Sequence, residues 1–381
     1  MPRIHLKRVD RSKPECRWIA ERARNVHSQA GEDGMLEAIF EKIGSGRRWC
    51  VEFGAWDGVY LSNTRRLIEE CGWSGVLIEA DAHRCRDLQR VSADTPRVIP
   101  VHALVGWTPR DGLDAILADT SCPTDFDLLS IDIDGNDYHV WQAVERYRPR
   151  VVVIEYNSCI PTDVVFVQDA DPEVSQGSSL LAMVELAKEK GYELIATNIF
   201  NAFFIVKEEF GKICIEDNSI DSLHNVQGME SRFVQCFDGT IFIAGLQKLV
   251  WHNIPFTFDD LQVLPQVMRG PGRVRPFDAM RLRQMGEVWI YGAGGGGRRV
   301  LDLLHANDVH VAGFIDSYKE GTLADLPVNR FSTFVRTADR SAPIVVASEF
   351  AQEIILNLLQ QGFQRIYDAQ QAALTPAAPE A

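Results

Sequence analysis

Val51-Glu52-Phe53-Gly54-Ala55-Trp56-Asp57-Gly58 closes an apolar run with an acid and two glycines spaced E-x-G-x-x-x-G. The run begins at Arg48-Trp49-Cys50, so 48–53 is expected to form a central strand that breaks at Gly54. A glycine there lets the chain turn tightly and keeps a Cβ away from whatever lies beyond the strand's carboxyl end. A second apolar run, Gly75-Val76-Leu77-Ile78-Glu79, follows a helical stretch from Asn63 to Cys71 and also ends acidic. Doubly wound folds place a carboxylate at that point, where it can grip two ribose hydroxyls.

Further apolar runs at 98–105, 126–133, 150–156, 192–197 and 201–207 extend the pattern. The first five runs are separated by crossovers long enough for helices, which predicts a parallel sheet covered on both faces. The last two are too close for a crossover and should pair antiparallel. An amphipathic helix over 31–43 carries Leu36, Ile39, Phe40 and Ile43 at core spacing. Another, Leu180 to Lys190, stops at Gly191, a residue suited to a left-handed cap.

The dinucleotide fingerprint would need G-x-G-x-x-G and a pyrophosphate at the helix start, whereas Glu52 would repel phosphate there and favour a cation. S-adenosylmethionine carries a sulfonium and an ammonium, and E-x-G-x-x-x-G resembles motif I of the class I methyltransferases. Six ordered motifs sharpen the likeness: "SQAGEDG" (28–34), "VEFGAWDG" (51–58), "SNT" (62–64), "GWSGVLIEAD" (72–81), "LLSIDIDGNDY" (128–138) and "VVVIEYN" (151–157). Over Ser28 to Phe204, about half of the chain, the sequence is similar to the FkbM-type methyltransferases. One motif departs from theirs: many members have K-x-D-V/I-E-G after the fourth strand, where this chain has Ser130-Ile131-Asp132-Ile133-Asp134-Gly135.

The resemblance implies a Rossmann-like α/β sheet of seven strands, the last antiparallel, and O-methylation of a sugar hydroxyl, free, nucleotide-linked or within a glycan. It implies S-adenosylmethionine as cofactor, with Glu52, Gly54, Ala55, Asp57, Gly58, Asn63, Glu79, Asp81 and Asp132 as donor-binding candidates. Asp81 could instead cap the following helix, and the Gly54–Gly58 turn could be a plain tight turn.

An alcohol gives up its proton reluctantly, so a general base or an acidifying divalent cation must help. Asp132, Asp134, His139 and Asn157 are the candidates for acceptor activation. Asp132 and Asp134, two apart on one strand face, form with Glu155 and Asn157 an oxygen-rich set resembling the metal site of cation-dependent O-methyltransferases, with Asp134, Glu155 and Asn157 the candidate ligands of Mg or Mn. Carboxylates at strand ends also cap helices or bind water, and His139 could equally be structural. The aperiodic segment Ser158 to Ser179 is expected to be a lid or a surface excursion.

A second, smaller Rossmann-like unit follows. Glu287 to Tyr291 is expected to be a strand, Gly292 to Gly297 a turn, Arg298 to Ala306 a helix, and His310 to Ile315 a strand ending at Asp316. Gly292, Gly294 and Gly297 spell G-x-G-x-x-G, with Asp316 at the spacing of a ribose ligand. Strands at 343–347 and 365–367 should flank a helix at 350–361. "IYGAGGGG" with "VAGFIDS" is similar to small domains of sugar-modifying enzymes, which implies a nucleotide or nucleotide-sugar ligand. A glycine turn needed only for close strand-helix packing is the alternative.

The expected organisation is an arm (1–27), a methyltransferase domain (28–245), a connector (246–285) containing "RGPGRVRPF", the Rossmann-like domain (286–371) and a tail (372–381). A hairpin is expected within Phe237 to Val250. The arm holds Arg3, Lys7, Arg8, Arg11, Lys13, Arg17, Arg22 and Arg24, without the apolar core of a signal peptide. A net charge of −14, from 39 basic and 53 acidic residues, argues against nucleic acid or anionic lipid as partners. Eight dispersed cysteines without a C-x-x-C pair fit free thiols, and with no apolar run of spanning length the chain is expected to be cytoplasmic. Two rival functions stay open: a non-catalytic nucleotide-sugar binder on this fold, and an NAD(P)-dependent oxidoreductase working through the second glycine turn. Whether the chain forms a homo-oligomer is left open.

Overall fold

The computed structural model describes residues 4–5, 11–225, 229–237, 239–264 and 274–370, and the chain divides into two compact units. Arg3, Lys7 and Arg8 of the basic arm, 269–273 of the connector and the 372–381 tail lie outside the described residues.

The first unit comprises the described residues through Arg232 together with Ala244–Ile254. Its sheet contains β1 (Trp49–Phe53), β2 (Ser74–Glu79), β3 (Val98–His102), β4 (Leu128–Ile131), β5 (Val151–Glu155), β6 (Tyr192–Thr197) and β7 (Asn201–Val206). The spatial order is β3-β2-β1-β4-β5-β7-β6, with β7 antiparallel to both neighbours and every other pair parallel. This is the α/β sheet the motifs implied. Central strands buried on both faces must be apolar throughout, and Val51, Val76, Leu129 and Val152 are fully buried.

Helix α1 (Glu32–Ile43) buries Leu36, Ile39, Phe40 and Ile43 as its spacing predicted. The loop before it is tied by Asp33, whose Oδ2 accepts the amides of Val26, His27 and Ser28, each at 2.8 Å. Upstream, Cys16 and Ile19 pack into the same core, so part of the basic arm is anchored. The helix Leu180–Glu189 is followed by Gly191 at φ +79°.

Beyond β7 the chain makes two short ribbons, β8 (Ser231–Gln235) with β9 (Ile241–Gly245) and β10 (Lys248–Leu249) with β11 (Ile254–Pro255). The hairpin therefore starts earlier than the run from Phe237 suggested, because β8 is exposed along its whole length and shows no burial alternation.

The second unit contains β12 (Val274–Pro276), β13 (Val288–Tyr291), β14 (Val311–Asp316), β15 (Gly321–Leu323), β16 (Leu326–Arg330), β17 (Ile344–Val346) and β18 (Ile366–Asp368). Their order is β12-β18-β17-β13-β14-β16-β15, with only the β15–β16 pair antiparallel. The helix after the glycine turn spans Gly295–His305, three residues earlier than read, because glycines also accept helical dihedrals. All eight cysteines are free thiols, and among the described residues no helix is long and apolar enough to cross a membrane.

Candidate functional site

Parallel strands end together, so the loops after β1, β2, β4 and β5 open on one edge of the first sheet. There the first unit holds a cavity of about 710 Å³. Of the sequence-derived donor-binding candidates, Glu52, Gly54, Ala55, Asn63, Glu79 and Asp132 line it, while Asp57, Gly58 and Asp81 do not.

The Gly54 turn is forced by its surroundings. Its φ is +74°, and a Cβ there would lie 1.9 Å from the carbonyl oxygen of Asp132. The two loops thus touch through backbone, which brings the β1 end against the acidic β4 end. Gly58 has a different reason: a Cβ would meet Leu88 and Leu77 at 2.7 and 3.1 Å, so it serves packing beneath the cavity. Asp57 accepts the amides of Val59 and Tyr60 and shapes the turn. Asp81 caps the next helix by accepting the amides of His83 and Arg84, which hold its carboxyl below the usual range. Neither carboxylate lines the cavity.

Glu52 also differs from its expected role. Its Oε2 accepts the hydroxyls of Ser62 and Thr64, both at 2.6 Å, and its Oε1 accepts the Asn63 amide at 2.8 Å. The side chain is buried and clamps the Ser62-Asn63-Thr64 loop, while burial pushes its pKa up against those three hydrogen bonds. Asn63, placed by this clamp, donates to Ser130 at 3.1 Å and joins the wall. At the end of β2, Glu79 accepts the Trp56 amide at 2.8 Å and the Asp81 amide at 2.7 Å. These two bonds fix a buried carboxylate at the wall, on the loop edge of β2.

Asp132, Asp134 and Glu155 converge, each offering a carboxylate oxygen within 4.8 Å of the others. Burial first, and then the neighbouring Asp137, Asp134 and Glu52 carboxylates, push the Asp132 pKa up to about 8. Burial and the adjacent aspartates raise Glu155 in the same direction, against a hydrogen bond from the Asp134 amide. Asp134 sits at φ +57°, an uncommon conformation for a residue with a side chain. Asp137 is buried and accepts the amides of Ile133 and Gly135, so it holds the turn that presents the trio.

The structure replaces two expected members of the site. Asn157 donates to the Gln176 carbonyl at 2.7 Å and accepts the Cys159 amide, so it anchors the 158–179 segment and does not line the cavity. His139 lies outside the cavity as well. Its Nε2 is 2.7 Å from the Gln168 carbonyl, an acceptor only, so that nitrogen carries the proton and donates. Of the oxygen-rich set read from sequence, Asp132, Asp134 and Glu155 come together, and Asn157 does not join them.

Several lining residues had no pattern to announce them. Trp107 comes from the loop after β3, Phe200 from the β6–β7 turn and Trp251 from the segment after β10. Gln29 and Trp56 lie inside quoted motifs but in no recognised role. Arg84 stacks its guanidinium 3.6 Å above the Trp56 ring at the cavity wall.

In the second unit the glycine turn packs closely. A Cβ on Gly297 would sit 1.9 Å from the Gly292 carbonyl oxygen, and one on Gly292 2.8 Å from that of Ala347, while Gly294 faces open space. Asp316 accepts the amides of Ala293, Tyr318 and Lys319. Burial raises its pKa, but those bonds prevail and lower it. A cavity of about 530 Å³ in this unit lies at the other end of the sheet, near Glu287, Pro343 and Arg365.

No protein-family model matches the chain, and no curated protein matches it. Solved structures similar to it include the N-terminal domain of EvdMO1 with SAH bound, at 13% identity and a TM-score of 0.30, over 46% of this chain and 79% of that one. A putative O-methyltransferase from Klebsiella pneumoniae is 17% identical over 51% of this chain and 90% of that one, with a TM-score of 0.31. A SAM dependent methyltransferase from Aquifex aeolicus is 10% identical over 45% and 89%, with a TM-score of 0.29. Likenesses at this level carry no weight for substrate or residue roles.

Proposed function

We propose that the first unit is an S-adenosylmethionine-dependent O-methyltransferase of the FkbM type, acting on a sugar hydroxyl that is free, nucleotide-linked or part of a glycan. The observation that carries this reading is the single cavity joining a fixed carboxylate at the end of β2, Glu79, to the converging Asp132, Asp134 and Glu155. A ribose suits the first and a hydroxyl awaiting activation suits the second.

The residues fit the cofactor in chemistry. Glu79 accepts only two amides in the wall, and a carboxylate has further acceptor sites for ribose hydroxyls. The acidic lining suits a donor with a sulfonium and an ammonium better than a pyrophosphate. When bound, S-adenosylmethionine supplies the methyl group. The chain must hold the acceptor oxygen in line with that group and exclude competing water, for which an enclosed wall of Ala55, Ile78, Val105 and Trp107 is suited.

The three clustered carboxylates, with proton affinity raised at Asp132 and Glu155, are also a fitting donor set for a hard divalent cation such as Mg or Mn. Asp132, Asp134 and Glu155 would hold it, and it would acidify the acceptor hydroxyl. Without a cation, an ionised member of the trio would have to take the proton itself. A methyl-release assay with pooled nucleotide-sugars and glycans, with and without chelator, tests the reading. Turnover with one pool and its loss on chelation is the expected result. Turnover with neither pool overturns the acceptor class, and turnover indifferent to chelator overturns the cation.

A further inference from the structure

Beside the acidic trio stands a surface of the opposite character. Glu155 pairs with Asn201 across β5 and β7, and the next step outward places Phe200 against Tyr156, whose amide donates to the Phe200 carbonyl at 2.9 Å. Phe200 is thus one residue along the neighbouring strand from a member of the trio. Its turn is held from below: Asn198 donates to Glu32 at 2.6 Å, Asn201 donates to the same oxygen at 2.9 Å, and the Tyr156 hydroxyl donates to the Asn198 carbonyl at 2.7 Å. Trp251, which belongs to the same compact unit, lies with its ring 5.9 Å from that of Phe200 and remains 57% exposed. Both rings line the cavity, as do Trp107 and Pro172.

We propose that Phe200 and Trp251 form the acceptor platform, and that it takes the C–H face of a polyhydroxylated ring. The proposal rests on the methyltransferase reading and adds the acceptor subsite. Aromatic faces attract the C–H side of a sugar ring and repay their own desolvation. The carboxyl groups beside the platform accept hydrogen bonds from hydroxyls, which a polyhydroxylated ring supplies.

Ligand-observed saturation-transfer NMR on the intact protein tests this without turnover, using methyl glycosides of neutral hexoses and 6-deoxyhexoses. The neutral glycosides should give a signal. Trp251→Ala and Phe200→Ala should each weaken neutral binding by about tenfold, roughly the worth of one good aromatic contact. Trp251→Phe should restore most of it. Unchanged binding in both alanine variants, or no signal with any neutral glycoside, would each overturn the proposal. Calorimetry with S-adenosylmethionine separates the two readings: glycosides that bind to a protein taking up no donor leave the platform standing and remove the methyltransferase.

Discussion

At the scale of single residues, the recognisable motif letters divide between those that touch the cavity and those that hold what does. Glu52 belongs mainly to the second kind, since its oxygens are committed to Ser62, Asn63 and Thr64. Glu52→Ala leaves two hydroxyls and an amide short of a buried acceptor, and thermal unfolding should register a loss of about 2–4 kcal/mol. Were Glu52 purely a ligand contact, stability would hold and only donor affinity would fall. Gly54→Ala should cost about 1–2 kcal/mol from its left-handed backbone alone, before the clash with the Asp132 carbonyl is counted. Because that clash pushes the β1 and β4 loops apart, donor affinity in calorimetry should fall with the melting temperature; a stable variant with normal affinity contradicts the close approach. Asp81→Ala, by contrast, should leave donor affinity unchanged.

At the scale of elements, the 158–179 segment shows how the site is assembled. Gln168 is buried within it, accepting the amides of Gln176 and Gly177 and donating to the Val174 carbonyl. His139, Asn136 and Asn157 fasten the segment from outside by donating to the Gln168, Asp171 and Gln176 carbonyls. His139→Ala should therefore speed amide hydrogen exchange across 158–179 while donor affinity persists, and unchanged exchange there would remove the latch. The strands that place the site were legible because a sheet buried on both faces demands apolar runs, and Trp49–Phe53 and Val151–Glu155 could be little else. The last pair was legible from loop length. His139 and Asn157 do not line the cavity, and sequence position near a strand end cannot tell a side chain facing the cavity from one turned towards a loop. The trio's third member is a matter of register, β4 against β5, and the platform depends on a contact between Phe200 and Trp251 that no periodicity announces.

At the scale of the whole molecule, the trio links pH, cations and stability. Asp132 and Glu155 bind protons more tightly folded than unfolded, so their contribution to stability is complete at low pH and is lost as pH rises. Cation-free protein should melt at progressively lower temperature from pH 5 towards 8, the value to which Asp132 is raised. Mg or Mn should recover more stability at pH 8 than at pH 5, because fewer protons then compete. A melting temperature that rises over that range, or is equally insensitive to cation at both ends, contradicts the coupling. The claim beneath all of this is that the cavity above β1 and β2 takes a sulfonium nucleoside. Isothermal calorimetry of S-adenosylmethionine against intact protein and Glu79→Ala tests it most directly. The account predicts one donor per chain, with affinity reduced about tenfold or more in the variant; no heat from the intact protein, or equal affinity in both, contradicts it.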